Sequence, residues 1–351
     1  MSKIMVLDCT LRDGGYVNDY NFGKDNIKKI INYLNLANID IIECGYLFDN
    51  IEDDKDKTKY NTFKQAEKNI TKHNNYTVML SGMKYKIDTL PKRKKGYIDT
   101  IRLAFHKKDL KKVEEYSKRI TENGYKIFIQ PQVIMTYTDE EIIDMLKMVN
   151  QLDVECVSIV DTFGQMIPKD IKEKTLLFDK YLRKNIKIGL HLHNNLQTAF
   201  TNAMTFLDTI PEDRDVVIDT SILGMGRGAG NLPTELLANY LNSNYQKKYN
   251  IEAILKVSDN IISKIKKEYN WGYSLPYYLS AIKGIHPSYI IYFLEKGVTN
   301  SIDINKLIEM ISNNKKEIYD KEYADKIYDI YKNNKIGEKN ENSSISSNEI
   351  K

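Results

Sequence analysis

Two histidines, His191 and His193, stand two residues apart in the run His191-Leu192-His193-Asn194-Asn195. In a strand, residues i and i+2 project from the same face, so both imidazoles point one way. Two neutral imidazoles and one carboxylate, with positions left open, suit a divalent cation that must also hold substrate oxygens. On an unknown fold such a pair is more often structural than ligating. At the end of a barrel strand the balance turns toward metal. Asp13 is the best candidate for the carboxylate, within Asp8-Cys9-Thr10-Leu11-Arg12-Asp13-Gly14-Gly15. Arg12 beside it offers a fixed guanidinium to the negative oxygen that develops on a polarised carbonyl. Arg12 could equally form an ion pair with Glu43 or Asp161, and the two roles are compatible.

The elements that must position these residues alternate along the chain. Short β-rich runs fall at 4–8, 39–44, 77–81, 98–104, 126–130, 156–161, 187–193 and 216–222. Helical periodicity fills the gaps, as at 25–36, 110–123, 139–150 and 169–183. Strand followed by helix, repeated, implies a parallel sheet with right-handed crossovers. Eight repeats in roughly 240 residues favour a closed α/β barrel, the (β/α)8 TIM barrel, over an open doubly wound sheet. Its active site would lie at the C-terminal strand ends.

That is where the polar residues gather. The second run ends in Glu43, the sixth in Asp161-Thr162, and His106 follows the fourth. The eighth leads into Gly224-Met225-Gly226-Arg227-Gly228-Ala229-Gly230-Asn231. Gly228 and Gly230 would let backbone approach metal or substrate closely, and Asn231 could supply an amide oxygen. The spacing Gly224-x-Gly226-x-x-Ala229 formally fits a dinucleotide fingerprint. It follows the last strand instead of the first, and no acidic strand end comes after it, so nucleotide binding is rejected.

The chain of 351 residues carries 52 basic and 48 acidic residues, a balance too even for a nucleic-acid footprint. The basic knot at 92–95 follows Pro91 and reads as a solvated loop. No leader-like start and no apolar run of membrane length are seen. Cys9, Cys44 and Cys156 form no CxxC pair, so reduced thiols in a cytoplasmic protein are expected. Residues 1–240 should form the barrel and 241–334 a C-terminal helical extension, broken by a turn at 271–278. The Lys/Glu/Asn/Ser composition of 335–351 points to a disordered tail. Residues 271–278 or 286–289 could help cover the barrel mouth, although ordinary helix packing explains their tyrosines as well.

These motifs resemble the DRE-TIM metallolyase superfamily of 3-hydroxy-3-methylglutaryl-CoA lyases, isopropylmalate and homocitrate synthases and 4-hydroxy-2-oxovalerate aldolases. The similarity rests on Asp8-x-Thr10-Leu11-Arg12-Asp13-Gly14, Glu43, Asp161-Thr162-x-Gly164, His191 to Asn195, and the run ending Gly230-Asn231. It implies a Mn2+ or Mg2+ site with Asp13, His191 and His193 as ligands and Asn231 able to join them. It also implies Arg12 on an enolate oxygen and Glu43 supporting Arg12 or a metal-bound water. Asp161, Thr162, Gly228 and Gly230 would help bind substrate. Two departures matter. The stretch 224–230 lacks the cysteine of the acyl-CoA lyases, and Gly15-Tyr16-Val17 stands where the aldolases carry a basic histidine. Tyr16, His106 or His286 could take that histidine's place.

The expected function is therefore a carbon–carbon lyase or aldolase working through a metal-stabilised enolate of pyruvate or a related 2-oxo acid, with an aldehyde as second substrate. The alternatives are a Claisen-type acyl-CoA/2-oxo acid synthase and a non-catalytic barrel. A homodimer is possible, as is a partner enzyme docked through the C-terminal region; nucleic acid and membrane are not expected as partners.

Overall fold

The computed structural model describes residues 3–348 except 71–74, 81 and 95, with backbone alone over 336–348. Eight parallel strands form its centre: Ile4–Asp8, Ile41–Leu47, Asn75–Leu80, Ile98–Phe105, Lys126–Pro131, Cys156–Asp161, Lys187–Leu192 and Val216–Thr220. The first strand pairs on one side with the second, Leu7 opposite Ile41. On the other side it pairs with the eighth, from Ile4 opposite Val216 to Asp8 opposite Thr220. The sheet thus closes on itself as a (β/α)8 barrel. Its strands are buried along nearly their whole length, as parallel strands covered on both faces must be. A two-residue strand, Lys59–Tyr60, pairs outside the second strand with Tyr46 and Leu47. Two residues are too few to leave a periodic signal.

Helices Lys24–Leu36, Leu110–Glu122, Asp139–Val149 and Pro168–Tyr181 occupy the segments with helical periodicity. Local chemistry sets their starts. Thr138 and Glu141 form a reciprocal capping box, and Pro168 stands at the first helical turn, where its missing N–H costs nothing. Between the third and fourth strands the described residues form only the short 3-10 turns Gly82–Lys84 and Ile87–Thr89. Residues 92–94 of the basic knot are exposed there, and Lys95 lies outside the described residues.

Two compact units divide the chain, Met1–Tyr273 and Ser274–Lys351. The first runs past residue 240, where the sequence placed the boundary. Helix Ile251–Val257 and the π-turn Ser258–Ile262 put Ile254, Val257, Ile261 and Ile262 into the core that holds Ile27, Ile30 and Ile31. The second unit has its own core of Ile285, Tyr289, Ile290, Phe293, Ile304 and Leu307. Its last helix, Lys321–Asn348, continues through the segment whose composition suggested a disordered tail. Among the described residues no helix is long and apolar enough to cross a membrane.

Candidate active site

At the C-terminal end of the first strand the chain turns tightly, with the N–H groups of Arg12 and Asp13 both donating to the Cys9 carbonyl. This turn aims Arg12 and Asp13 into the barrel mouth, where they meet His191 from the seventh strand and Glu43 from the second. Arg12 Nε donates to Glu43 Oε2 at 2.7 Å, and its Nη1 lies 3.1 Å from Asp13 Oδ1. His191 Nε2 and His193 Nε2 approach the other oxygen, Asp13 Oδ2, at 3.3 and 3.7 Å. The two imidazole planes are nearly perpendicular, with centroids 5.2 Å apart.

Two further residues close a cycle of charges. Arg102, in the fourth strand, donates from Nη1 to Glu43 Oε2 at 2.9 Å and from Nη2 to Asp219 Oδ2. Asp219, in the eighth strand, also meets His191 Nδ1 at 2.8 Å. The circuit Asp13–Arg12–Glu43–Arg102–Asp219–His191–Asp13 is buried throughout, so every charge in it is paired, as burial requires. Burial alone would raise the carboxyl of Asp13, yet Arg12 and the two histidines hold it well below the carboxylate range. Burial opposes the charge on His191, but Asp13 and Asp219 outweigh it and raise its pKa. His193 is pushed down to about 3 by burial, against the pull of Asp13.

This cluster fits a divalent cation. With Nδ1–H committed to Asp219, a neutral His191 turns its Nε2 lone pair toward the Asp13 carboxylate. When the ring is neutral, these two electron-rich atoms 3.3 Å apart are placed as a pair of ligands for a cation. Asp13 Oδ2 and Asn231 Oδ1 are both buried and accept no hydrogen bond of good geometry. An isolated bridge between His193 and Asn231 brings that amide to the histidines. Cys9 Sγ lies within ligand range of Asp13 and His191. Burial pushes its thiol pKa up, however, and the thiol contacts the Thr220 carbonyl at 3.1 Å. Asp13, His191, His193 and Asn231 are therefore the residues placed to hold a divalent cation through oxygen and imidazole ligands.

The glycine turn after the eighth strand holds Asn231 in place. At Gly226 a β-carbon would fall 2.5 Å from Asn231 Nδ2. Gly230, at φ +81°, would place one 2.1 Å from the Gly224 carbonyl. The Gly230 carbonyl accepts from Asn194 N–H and the Gly228 carbonyl from Gly272 N–H. Trp271 Nε1 donates to the Leu223 carbonyl at 3.0 Å, so the residue expected near the mouth packs on this turn.

Other expected residues have different surroundings. Asp161 does not pair with Arg12; its two oxygens accept the N–H groups of Gln165 and Met166 in the following loop. Burial raises its pKa to about 7 against those bonds. Thr162 Oγ1 accepts the N–H of Val133, a β-branched residue at φ +56°. Both thus hold backbone N–H groups of neighbouring loops. Tyr16, 42% exposed, shares a 2.9 Å hydrogen bond with the Tyr46 hydroxyl. His106 follows the fourth strand at the start of the turn Lys107–Asp109. His286 belongs to the second unit, where its Nδ1 accepts the Ser288 N–H at the start of helix Pro287–Glu295.

A (β/α)8 barrel with an Asp-His-His-Asn cluster and an arginine beside it at the strand ends is the class that fold and site define. Within that class, the chain belongs to the HMGL-like family, whose profile matches residues 3–261. The 4-hydroxy-2-oxovalerate aldolase of Geobacillus genomosp. 3 is 26% identical over 253 residues, covering 68% of this chain and 70% of that protein. The oxaloacetate decarboxylase of Mycobacterium tuberculosis is 25% identical over 239 residues, covering 66% and 68%. Among solved structures, the N-terminal domain of a candidate aldolase from Bacteroides vulgatus superposes with a TM-score of 0.68 at 26% identity. It covers 83% of this chain and 96% of that one.

Proposed function

We propose that the protein is a divalent-metal-dependent aldolase or carbon–carbon lyase that forms the enolate of pyruvate or a related 2-oxo acid. The observation that carries this reading is the unsatisfied Asp13 Oδ2 facing two histidines, with the Arg12 guanidinium 3.1 Å from the same carboxylate. A cation bound there supplies a Lewis acid for the carbonyl oxygen. Arg12 spends Nε on Glu43 and Nη1 on Asp13, so Nη2 is the atom we assign to the oxygen that becomes negative. Glu43, itself held by Arg102, fixes the plane of that guanidinium. A preformed donor of this kind acts without reorganising when the charge appears. Asp219 holds His191 in one tautomer. Similarity to an aldolase and to an oxaloacetate decarboxylase supports the same chemistry, because both reactions pass an electron pair onto the carbon beside a 2-oxo group.

Tyr16 and His106 are the residues proposed to carry the proton. Comparing Tyr16→Phe with His106→Gln in proton exchange on pyruvate separates them. The function itself is tested by metal analysis followed by incubation with oxaloacetate. Decarboxylation to pyruvate that needs Mn2+ or Mg2+ and disappears in His191→Ala supports it. A metal-loaded protein that leaves oxaloacetate at its spontaneous rate counts against it.

A further inference from the structure

Gln130 stands near the end of the fifth strand, Lys126–Pro131. Side chains two apart on a strand share a face. Phe128 lies in the barrel interior with Leu7, Cys9, Cys156 and Val217, so Gln130 points inward as well. It is 3% exposed, and its Nε2 is shut off from solvent and donates to no acceptor. A buried amide N–H without an acceptor is costly to the fold.

Strand register sets the height of this amide in the barrel. Arg102 pairs with Phe128, Phe128 with Cys156 and Cys156 with Lys187. The next residue, Ile188, pairs with Val216, so this row reaches Asp215 on the eighth strand. Arg102 nevertheless bonds Asp219, further along that strand. Level positions therefore advance by about one residue per strand, as the stagger of a closed eight-stranded barrel requires. Ile129 pairs with Val157 and Val157 with Ile188. The same advance brings Gln130, the next residue, level with His191 on the seventh strand. Beside Gln130 in register is Ala104, small and half-buried, which packs with Tyr46 and Met79. The Arg12 guanidinium stands 5.9 Å from the Tyr46 centroid. Gln130 thus reaches the barrel interior at the height of the proposed metal ligands, next to the aromatic corner that borders Arg12.

We propose that Gln130 binds substrate, its amide Nε2 donating to a carboxylate oxygen of the 2-oxo acid. This rests on the enolate reading above, and it names the residue that selects an acid over a simple ketone or aldehyde. A primary amide donates two hydrogen bonds and exchanges no proton near neutral pH. Gln130 therefore holds and orients the acid end and takes no part in proton transfer.

The test uses the full-length Mn2+-loaded protein. Pyruvate binding is read from the water-proton relaxation of the bound Mn2+, and methyl-proton exchange gives KM and kcat separately. Gln130→Met keeps the length of the side chain and removes the donor. Its pyruvate Kd and KM should rise about ten- to a hundredfold, the usual worth of a hydrogen bond to a charged group. Mn2+ affinity and kcat should stay near wild type, the pattern of binding lost equally in ground and transition states. Gln130→Glu sets a second carboxylate against the first and should bind pyruvate more weakly still. Turned over, the amide would instead accept from Arg102 Nε, a donor without an acceptor in the neighbouring strand. A lower urea midpoint with pyruvate affinity unchanged in both variants assigns Gln130 to Arg102 and overturns the proposal. Unchanged affinity with an unchanged midpoint overturns it as well. Exchange in wild type tests the enolate reading separately. Pyruvate binding that depends on Gln130 without exchange defeats that reading and leaves the Gln130 anchor standing.

Discussion

Asp219 Oδ2 lies 2.8 Å from His191 Nδ1, and this contact decides what the other ring nitrogen offers. With Nδ1–H held by the carboxylate, Nε2 is an acceptor aimed at Asp13. Asp219→Asn lets an amide N–H face the ring and favours the opposite tautomer. We expect Mn2+ affinity to fall about 10–100-fold, the usual effect of losing such a partner. A Mn2+ titration read by electron paramagnetic resonance measures it, and unchanged affinity would mean that Asp219 serves only Arg102.

Arg12→Lys keeps one positive charge beside Glu43 but loses the planar fork. Mn2+ binding should persist while kcat on oxaloacetate falls on the order of a hundredfold or more, the cost of one oxyanion donor. An unchanged kcat would make Arg12 a purely structural partner of Glu43.

Removing the Arg102 side chain takes the guanidinium from two buried carboxylates at once, leaving Glu43 with Arg12 alone and Asp219 with His191 alone. Arg102→Met should therefore destabilise the barrel by about 3–5 kcal/mol, as breaking a buried ion pair does. Urea denaturation at pH 7 reads this directly, and a loss below about 1 kcal/mol would show that the carboxylates find other partners.

Asp161 gives a pH dependence whose sign is fixed. Its folded pKa is raised to about 7 by burial, so the folded state holds this proton more tightly than the unfolded chain, which releases it near ~3.9. Its contribution is fully present below pH ~4 and is lost as pH rises toward 7, by a few kcal/mol at most. Asp161→Asn removes the titration. Wild type should therefore lose stability relative to the variant between pH 5 and pH 7 (~1 kcal/mol or more by urea midpoints). Parallel curves would place the Asp161 pKa in the ordinary range.

Much of this architecture is legible in the sequence because parallel strands buried on both faces must be apolar runs, and their polar ends then stand out. Arg12, Asp13, His191 and His193 are visible as the residues that break those runs, and the structure brings them together. Arg102 and Asp219 escaped because each lies inside its strand and not at the end. A charge within Ile98–Phe105 and another within Val216–Thr220 were nonetheless signals, since buried charges in a barrel interior must find each other. Tyr46 lies beyond the run read as the second strand, which continues to Leu47 after an irregular register between Glu43 and Tyr46. The roles of Asp161 and Thr162 depend on which loop N–H groups fold back onto them. That pairing is tertiary and leaves no mark in spacing. The boundary at Tyr273 was hidden for a similar reason, because the helices on either side of it are alike in composition and differ in which core they enter.

The most direct test of the central claim is the exchange of pyruvate methyl protons with solvent deuterium, followed by proton NMR in the presence of Mg2+. The account predicts exchange well above the enzyme-free rate, abolished by chelation and by His191→Ala and reduced on the order of a hundredfold in Arg12→Lys. A protein that binds the metal tightly yet leaves those methyl protons unexchanged would contradict it.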